Sequence, residues 1–165
     1  MKTLKSWESR ATEIAYLLNP AFCGRIIYHA IKTYSEQTSR PLPFPLVYLI
    51  LPLVLHRKTR ERINSVTQMQ IWIQRNPDVL IGFAERTKNL VIITNEAVEF
   101  LMQSGIAGLT NNAELELTRL LPSTSASKFV NTEIKECINK SSHVAKWFAK
   151  GGTVETIYSS WGVRP

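Results

Sequence analysis

The residues with the greatest chemical capacity are three histidines, two cysteines and one dense run of cations. His29, His56 and His143 fall in separate segments, and no spacing joins one of them to a nucleophile and an orienting acid. Cys23 and Cys137 lack zinc-ligand spacing, and each sits inside an apolar helical pattern. They read as reduced core thiols, with a disulfide as the alternative. No glycine-rich stretch precedes a Lys-Ser or Lys-Thr pair, so no phosphate-binding loop for ATP is encoded. Gly151-Gly152 follows a helix and does not join a strand to one; it is a stop signal. The expectation is a chain without catalytic residues, metal or cofactor.

The cations point instead to binding. Arg57-Lys58-Thr59-Arg60-Glu61-Arg62 places several positive charges in one short segment, which suits sequence-independent neutralisation of phosphates. Arg75, Arg86 and Lys88 are candidates to extend that surface. The competing reading is a solvated helix end with Arg60 and Arg62 paired to local acids. A net charge of +7 fits nucleic acid or another acidic surface.

Length and composition set the frame for those side chains. At 165 residues with 44% hydrophobic content, the chain suits one globular domain, 1–165, with a sizeable core. The start of the chain is basic but has no apolar stretch after it, and the apolar run Leu46–Leu55 is too short to span a bilayer. A soluble, cytoplasmic protein without a membrane partner is expected.

Trp7, Ala11, Ile14, Ala15 and Leu18 recur at helical spacing and predict an N-terminal helix over 1–18. A helical core follows over 19–121. Asn19-Pro20 predicts a capped helix start, with Phe22, Cys23, Ile26, Ile27, Ala30, Ile31 and Tyr34 as its buried stripe to about Ser35. Pro41, Pro43 and Pro45 predict an extended linker. Leu46 to Leu55 is apolar all round, so it reads as a central core helix, kinked or split at Pro52. Further helices are predicted from Thr59, after a cap at Thr67, from Pro77 to about Ile92, and after a cap at Thr94. Gly105 is placed as the residue that ends the last of them.

The period then changes from helical to alternating. Ile106–Leu109, Asn111-Asn112 and the alternation of Leu115 and Leu117 with Glu114 and Glu116 predict a small β-hairpin. Residues 128–165 form C-terminal helices, broken at Gly151-Gly152 and restarted by Thr153. The fold class is therefore mainly α, with a winged-helix-like core over about 67–117 that contains one small antiparallel hairpin, and flanking helices around it. Winged modules either place a helix in a DNA groove or serve as protein-docking platforms. Glu114 and Glu116 on the wing would repel phosphate and favour docking. At the C-terminus, Trp161, Val163 and Arg164 are candidate partner contacts, as is His56. The alternative for Trp161 is that it tucks back onto its own domain.

Three phrases carry more than local structure: Asn19-Pro20-Ala21-Phe22-Cys23, Leu51-Pro52-Leu53-Val54-Leu55-His56 and Trp161-Gly162-Val163-Arg164-Pro165. In this order and at this length the chain resembles the small middle component of bacterial three-component ABC ATPase systems, of which the Lamassu antiphage complexes are the best-known relatives. The resemblance implies a hetero-oligomer with an ATPase related to SMC or Rad50 proteins and with an effector, often a nuclease. It also implies a role joining the two and holding the effector inactive until foreign DNA engages the complex. The rival expectation is a free-standing winged-helix DNA-binding transcriptional regulator, which would be a homodimer that binds duplex DNA selectively.

Overall fold

The computed structural model describes residues 18–122 and 132–164, so residues 1–17 of the N-terminal helix predicted over 1–18, and the start of the C-terminal helices predicted from 128, lie outside the described residues. The first described helix, α1 (Pro20–Thr38), starts as its residue types require. Asn19 caps it by accepting from the amides of Ala21, at 2.7 Å, and Phe22, at 3.4 Å, while Pro20 occupies a position where no amide donor is needed. Its buried residues include Cys23, Ile26, Ile27, Ala30 and Ile31, but also Gly24, Tyr28 and Thr33. The helix is covered on more than one face because it packs against three others described below.

A short strand, β1 (Leu42–Pro43), leads through a 3-10 turn (Phe44–Leu46) into α2 (Val47–Val54). All but one of the eight residues of α2 are buried, as continuous apolar character demands. Pro52 neither splits the helix nor starts a new one; α2 runs two residues past it and ends at Val54. The chain then forms α3 (Arg57–Arg60), α4 (Met69–Arg75), a 3-10 turn (Pro77–Leu80), α5 (Phe83–Asn89) and α6 (Val91–Gln103).

The helix predicted from Thr59 starts at Arg57, and α1 runs past Ser35 to Thr38; three further boundaries also differ from the predicted ones. Gln68, not Thr67, precedes α4: the Gln68 carbonyl accepts from the Trp72 amide, while the Thr67 carbonyl accepts from the Trp147 indole N–H at 2.9 Å. The single helix expected from Pro77 to Ile92 is broken by Gly82, whose φ of 70° is left-handed. Thr94 is not a cap: α6 begins three residues earlier, and Thr94 is fully buried within it, its amide bonded to the Leu90 carbonyl. Gly105 does end α6, in a Schellman arrangement. Its amide reaches the Met102 carbonyl, and the Ile106 amide reaches that of Leu101.

The predicted hairpin forms from β2 (Ala107–Leu109) and β3 (Glu114–Leu117). It acquires a third strand, because β1 pairs antiparallel with the far side of β3, giving the order β1-β3-β2. Leu42 and Leu115 are register partners and both are fully buried. The linker prolines thus allow an edge strand, where a missing amide donor is tolerated.

α7 (Thr132–Lys150) packs along α1, and α8 (Val154–Ser160) follows a two-glycine break. Thr153 caps α8 by accepting from the Thr156 amide at 3.2 Å. α1 lies between α7 and α6, with α2 and the sheet against its remaining surface. The molecule is mainly helical, with a small three-stranded antiparallel sheet and flanking helices. Among the described residues, no helix is long and apolar enough to cross a membrane.

Candidate interaction surface

His56 sits in the two-residue break between α2 and α3, and its carbonyl accepts from the amides of Thr59 and Arg60. Its ring Nδ1 lies 2.8 Å from the Thr59 hydroxyl. Burial, with the charges of Arg86, Lys58, Arg62 and Arg60 around it, pushes the His56 pKa down. The imidazole is therefore held neutral as a helix-start group.

The basic segment does not present its cations together. Arg57 is exposed and pairs with Glu61 across one helical turn at 2.7 Å. Arg60 is only 2% exposed, so it is removed from any solvent-facing phosphate surface. Its guanidinium donates to Glu133 at 2.7 Å, to Glu136 at 3.1 Å and to the Val54 carbonyl at 2.9 Å. One buried cation thereby ties the end of α2 to the start of α7. Arg62 forms a two-pronged bond to Asp78, at 3.0 and 2.8 Å, and also donates to the Lys58 carbonyl and to Asn76. Arg86 is half-buried and donates to the carbonyls of Ile81, at 3.2 Å, and Val79, at 3.4 Å, which the Gly82 break leaves without helical partners. Burial lowers its pKa. Lys58, Arg75 and Lys88 are exposed, each on a different element or loop.

At the C-terminus, Trp161 is 1% exposed. It lies in an aromatic cluster with Phe83 at 5.0 Å, Trp72 at 6.2 Å and Trp147 at 6.3 Å between ring centroids, and its indole N–H points to Met69 Sδ at 3.2 Å. The ring is a core group in the isolated chain. Val163 is half-buried against the core, with its amide on the Tyr158 carbonyl, and Arg164 is exposed.

The structure also assembles a polar face that was not singled out from sequence. Lys135, Asn139, Ser142 and Lys146 line one side of α7, and with Glu136, Lys140 and His143 they bound a groove of about 460 Å³. Glu136 is the carboxylate already held by Arg60. The Lys140 ammonium donates to the Ile63 carbonyl. Burial, with Lys140 and Lys146 nearby, pushes the His143 pKa down, and its Nδ1 is buried with no hydrogen-bond partner among the described residues. The spacing 135, 139, 142, 146 is the signal that would have found this face, since it is one stripe of a 3.6-residue helix. Among the described residues, no group of three or more His, Cys, Asp or Glu is placed to hold a metal ion.

The family model described as ABC-three component (ABC-3C) system Middle Component 3 matches residues 7–165. The chain belongs to that family. Comparison of this middle component with curated proteins and with solved structures found no match. The matched range takes in the Asn19 cap, the α2–His56 segment and the Trp161 cluster, so all three phrases that suggested the resemblance lie within it. In this middle component two of those phrases contribute capping and core packing: Asn19 starts α1 and Trp161 closes the aromatic cluster.

Proposed function

We propose that this middle component is a non-enzymatic adapter. It joins an SMC/Rad50-like ABC ATPase to an effector, often a nuclease, in a cytoplasmic, Lamassu-like antiphage or anti-plasmid complex, and it meets DNA within that complex. The observation that carries the reading is family membership over 7–165, because a middle component is by description one subunit of a system with several. The side-chain arrangement is consistent with it. The arginines of the 57–62 segment bond internally and fix the geometry of a rigid body, which is what a coupling subunit needs.

The same reading treats residues of about 67–117, with α4, α5, α6 and the β2–β3 hairpin, as a winged-helix-like unit used for docking. The order of helices followed by a hairpin supports it, as does the acidic character of β3 through Glu114 and Glu116. His56, Val163 and Arg164 are the contacts proposed for partners.

Co-expression with the ATPase and effector of its own system is the test. The tagged middle component should retain the ATPase through size-exclusion chromatography, and the purified subunit alone should turn over neither nucleotide nor nucleic acid. Elution as a free homodimer with sequence-selective duplex binding would sink the adapter reading in favour of a transcriptional regulator.

A further inference from the structure

The groove along α7 is lined, among the described residues, only by polar and charged side chains. Three of them are lysines, Lys135, Lys140 and Lys146. The carboxylate among the described lining residues, Glu136, shares the single charge of the buried Arg60 with Glu133, so its charge is only partly offset, and the three lysines outweigh it. Lys135 and Lys146 have no hydrogen-bond or ion-pair partner among the described residues. They stand eleven residues apart, which is about 16 Å along a helix, or roughly five nucleotide steps at 3.4 Å per step.

Asn139 and Ser142 lie between the two lysines on the same stripe and supply neutral hydrogen-bond donors. Phosphate oxygens commonly accept from this mixture of lysine, hydroxyl and amide groups. A protein partner would be expected to seat aromatic or other apolar anchors, and among the described residues the lining has no apolar side chain to receive one. The cations of the described lining are all lysines, which fits point-charge attraction without a fixed fork geometry.

We infer that the α7 groove binds a nucleic-acid phosphodiester backbone, with Lys135 and Lys146 as the phosphate-contacting cations and Asn139 and Ser142 as donors between them. The site is distinct from the 57–62 segment, whose arginines are mostly bonded internally. It deepens the adapter reading only in giving DNA contact a location on this subunit.

The test is fluorescence anisotropy of labelled duplex and single-stranded DNA of arbitrary sequence against the full chain, at 50 and 200 mM salt. Each phosphate contact contributes about 0.9 to the log–log salt slope on duplex DNA, so Lys135→Gln with Lys146→Gln should flatten the slope by about 1.8. Over that fourfold salt range the double variant should lose about 12-fold less affinity than the native chain loses. Arg40→Gln, an exposed position in the loop before β1 and outside the groove, should leave the slope unchanged. If the double variant is unstable, each single variant should flatten the slope by about half as much. Three outcomes overturn the inference: native slope and affinity in the lysine variants, no DNA binding by the native chain at 50 mM salt, or tighter binding of a poly-glutamate peptide than of DNA. Loss of DNA binding with the ATPase still co-purifying would support this site. Loss of co-purification in the native complex would fail the adapter reading instead.

Discussion

Replacing Trp161 by alanine separates a core role for the C-terminal phrase from a contact role. The ring is 1% exposed and touches three aromatic neighbours contributed by α4, α5 and α7. A tryptophan buries about 150–250 Å², which at about 25 cal/mol per Å² amounts to roughly 4–6 kcal/mol. Compact unfolded chains reduce such sums by about 10–40%. Measured truncations of buried Phe and Trp fall at about 3–5 kcal/mol. Trp161→Ala should therefore cost about 4 kcal/mol, or roughly 8–16 °C in Tm for a chain of this size. Urea unfolding followed by far-UV circular dichroism is the suitable assay, because Trp72 and Trp147 confuse fluorescence. The midpoint should fall with the slope m unchanged. Trp161→Phe, which keeps most of the packing, should cost much less. An alanine variant within about 1 kcal/mol of the native chain, yet unable to hold the ATPase, would refute the packing argument and make Trp161 a partner anchor.

Arg60→Met should cost about 2–4 kcal/mol in the same assay, since breaking a buried charge pair costs about 3–5 kcal/mol and the partners here keep some solvent. Glu133 and Glu136 are 54% and 34% exposed, which is the reason for the reduction. A change under about 0.5 kcal/mol would show the cation to be dispensable. His29 supplies a pH dependence. Burial first, then Arg25 and Lys32, push its pKa from 6.5 down to about 4. The unfolded chain therefore takes up the proton first as pH falls. The associated stability is present above about pH 6.5 and is lost towards pH 4, by about 1–2 kcal/mol once screening is allowed for. His29→Gln should flatten that part of the stability curve relative to the native chain; an equally steep curve in the variant would contradict the assignment.

What sequence could reveal followed the distance over which each signal acts. Asn19-Pro20, Gly105 and Thr153 act within four residues, and each forms the cap or stop that its type implies. The apolar character of α2 also forecast its burial correctly. The hairpin was legible from alternation, but its third strand was not. Pairing of Leu42 with Leu115 depends on chain path, and the linker prolines argued only for extended backbone. The break at Gly82 was hidden because apolar period continues across it, while the φ of 70° is a backbone feature that side-chain period does not report. Thr94 misled for a related reason: threonine is a good cap, but here α6 begins earlier and buries it.

The candidate surface shows the same limit in electrostatic form. Cation density along the chain pointed to residues 57–62, yet density in sequence does not say which charges face outward. Arginine's planar fork suits carboxylates and carbonyls, so a folding chain can use it as a tie between elements. That happens here for Arg60, Arg62 and Arg86, whose guanidinium groups are bonded to acids or carbonyls of neighbouring segments. Lysine's compact, strongly hydrated ammonium is less suited to such ties. Lys135 and Lys146 accordingly remain available on α7, where a buried arginine shared by Glu133 and Glu136 offsets part of the nearby negative charge. The positive charge that a partner or polyanion meets is therefore set by how the arginines are consumed inside the fold. An Arg60 variant should for that reason change the α7 groove as well as stability, because Glu136 would then present an unneutralised carboxylate beside Lys135 and Lys140.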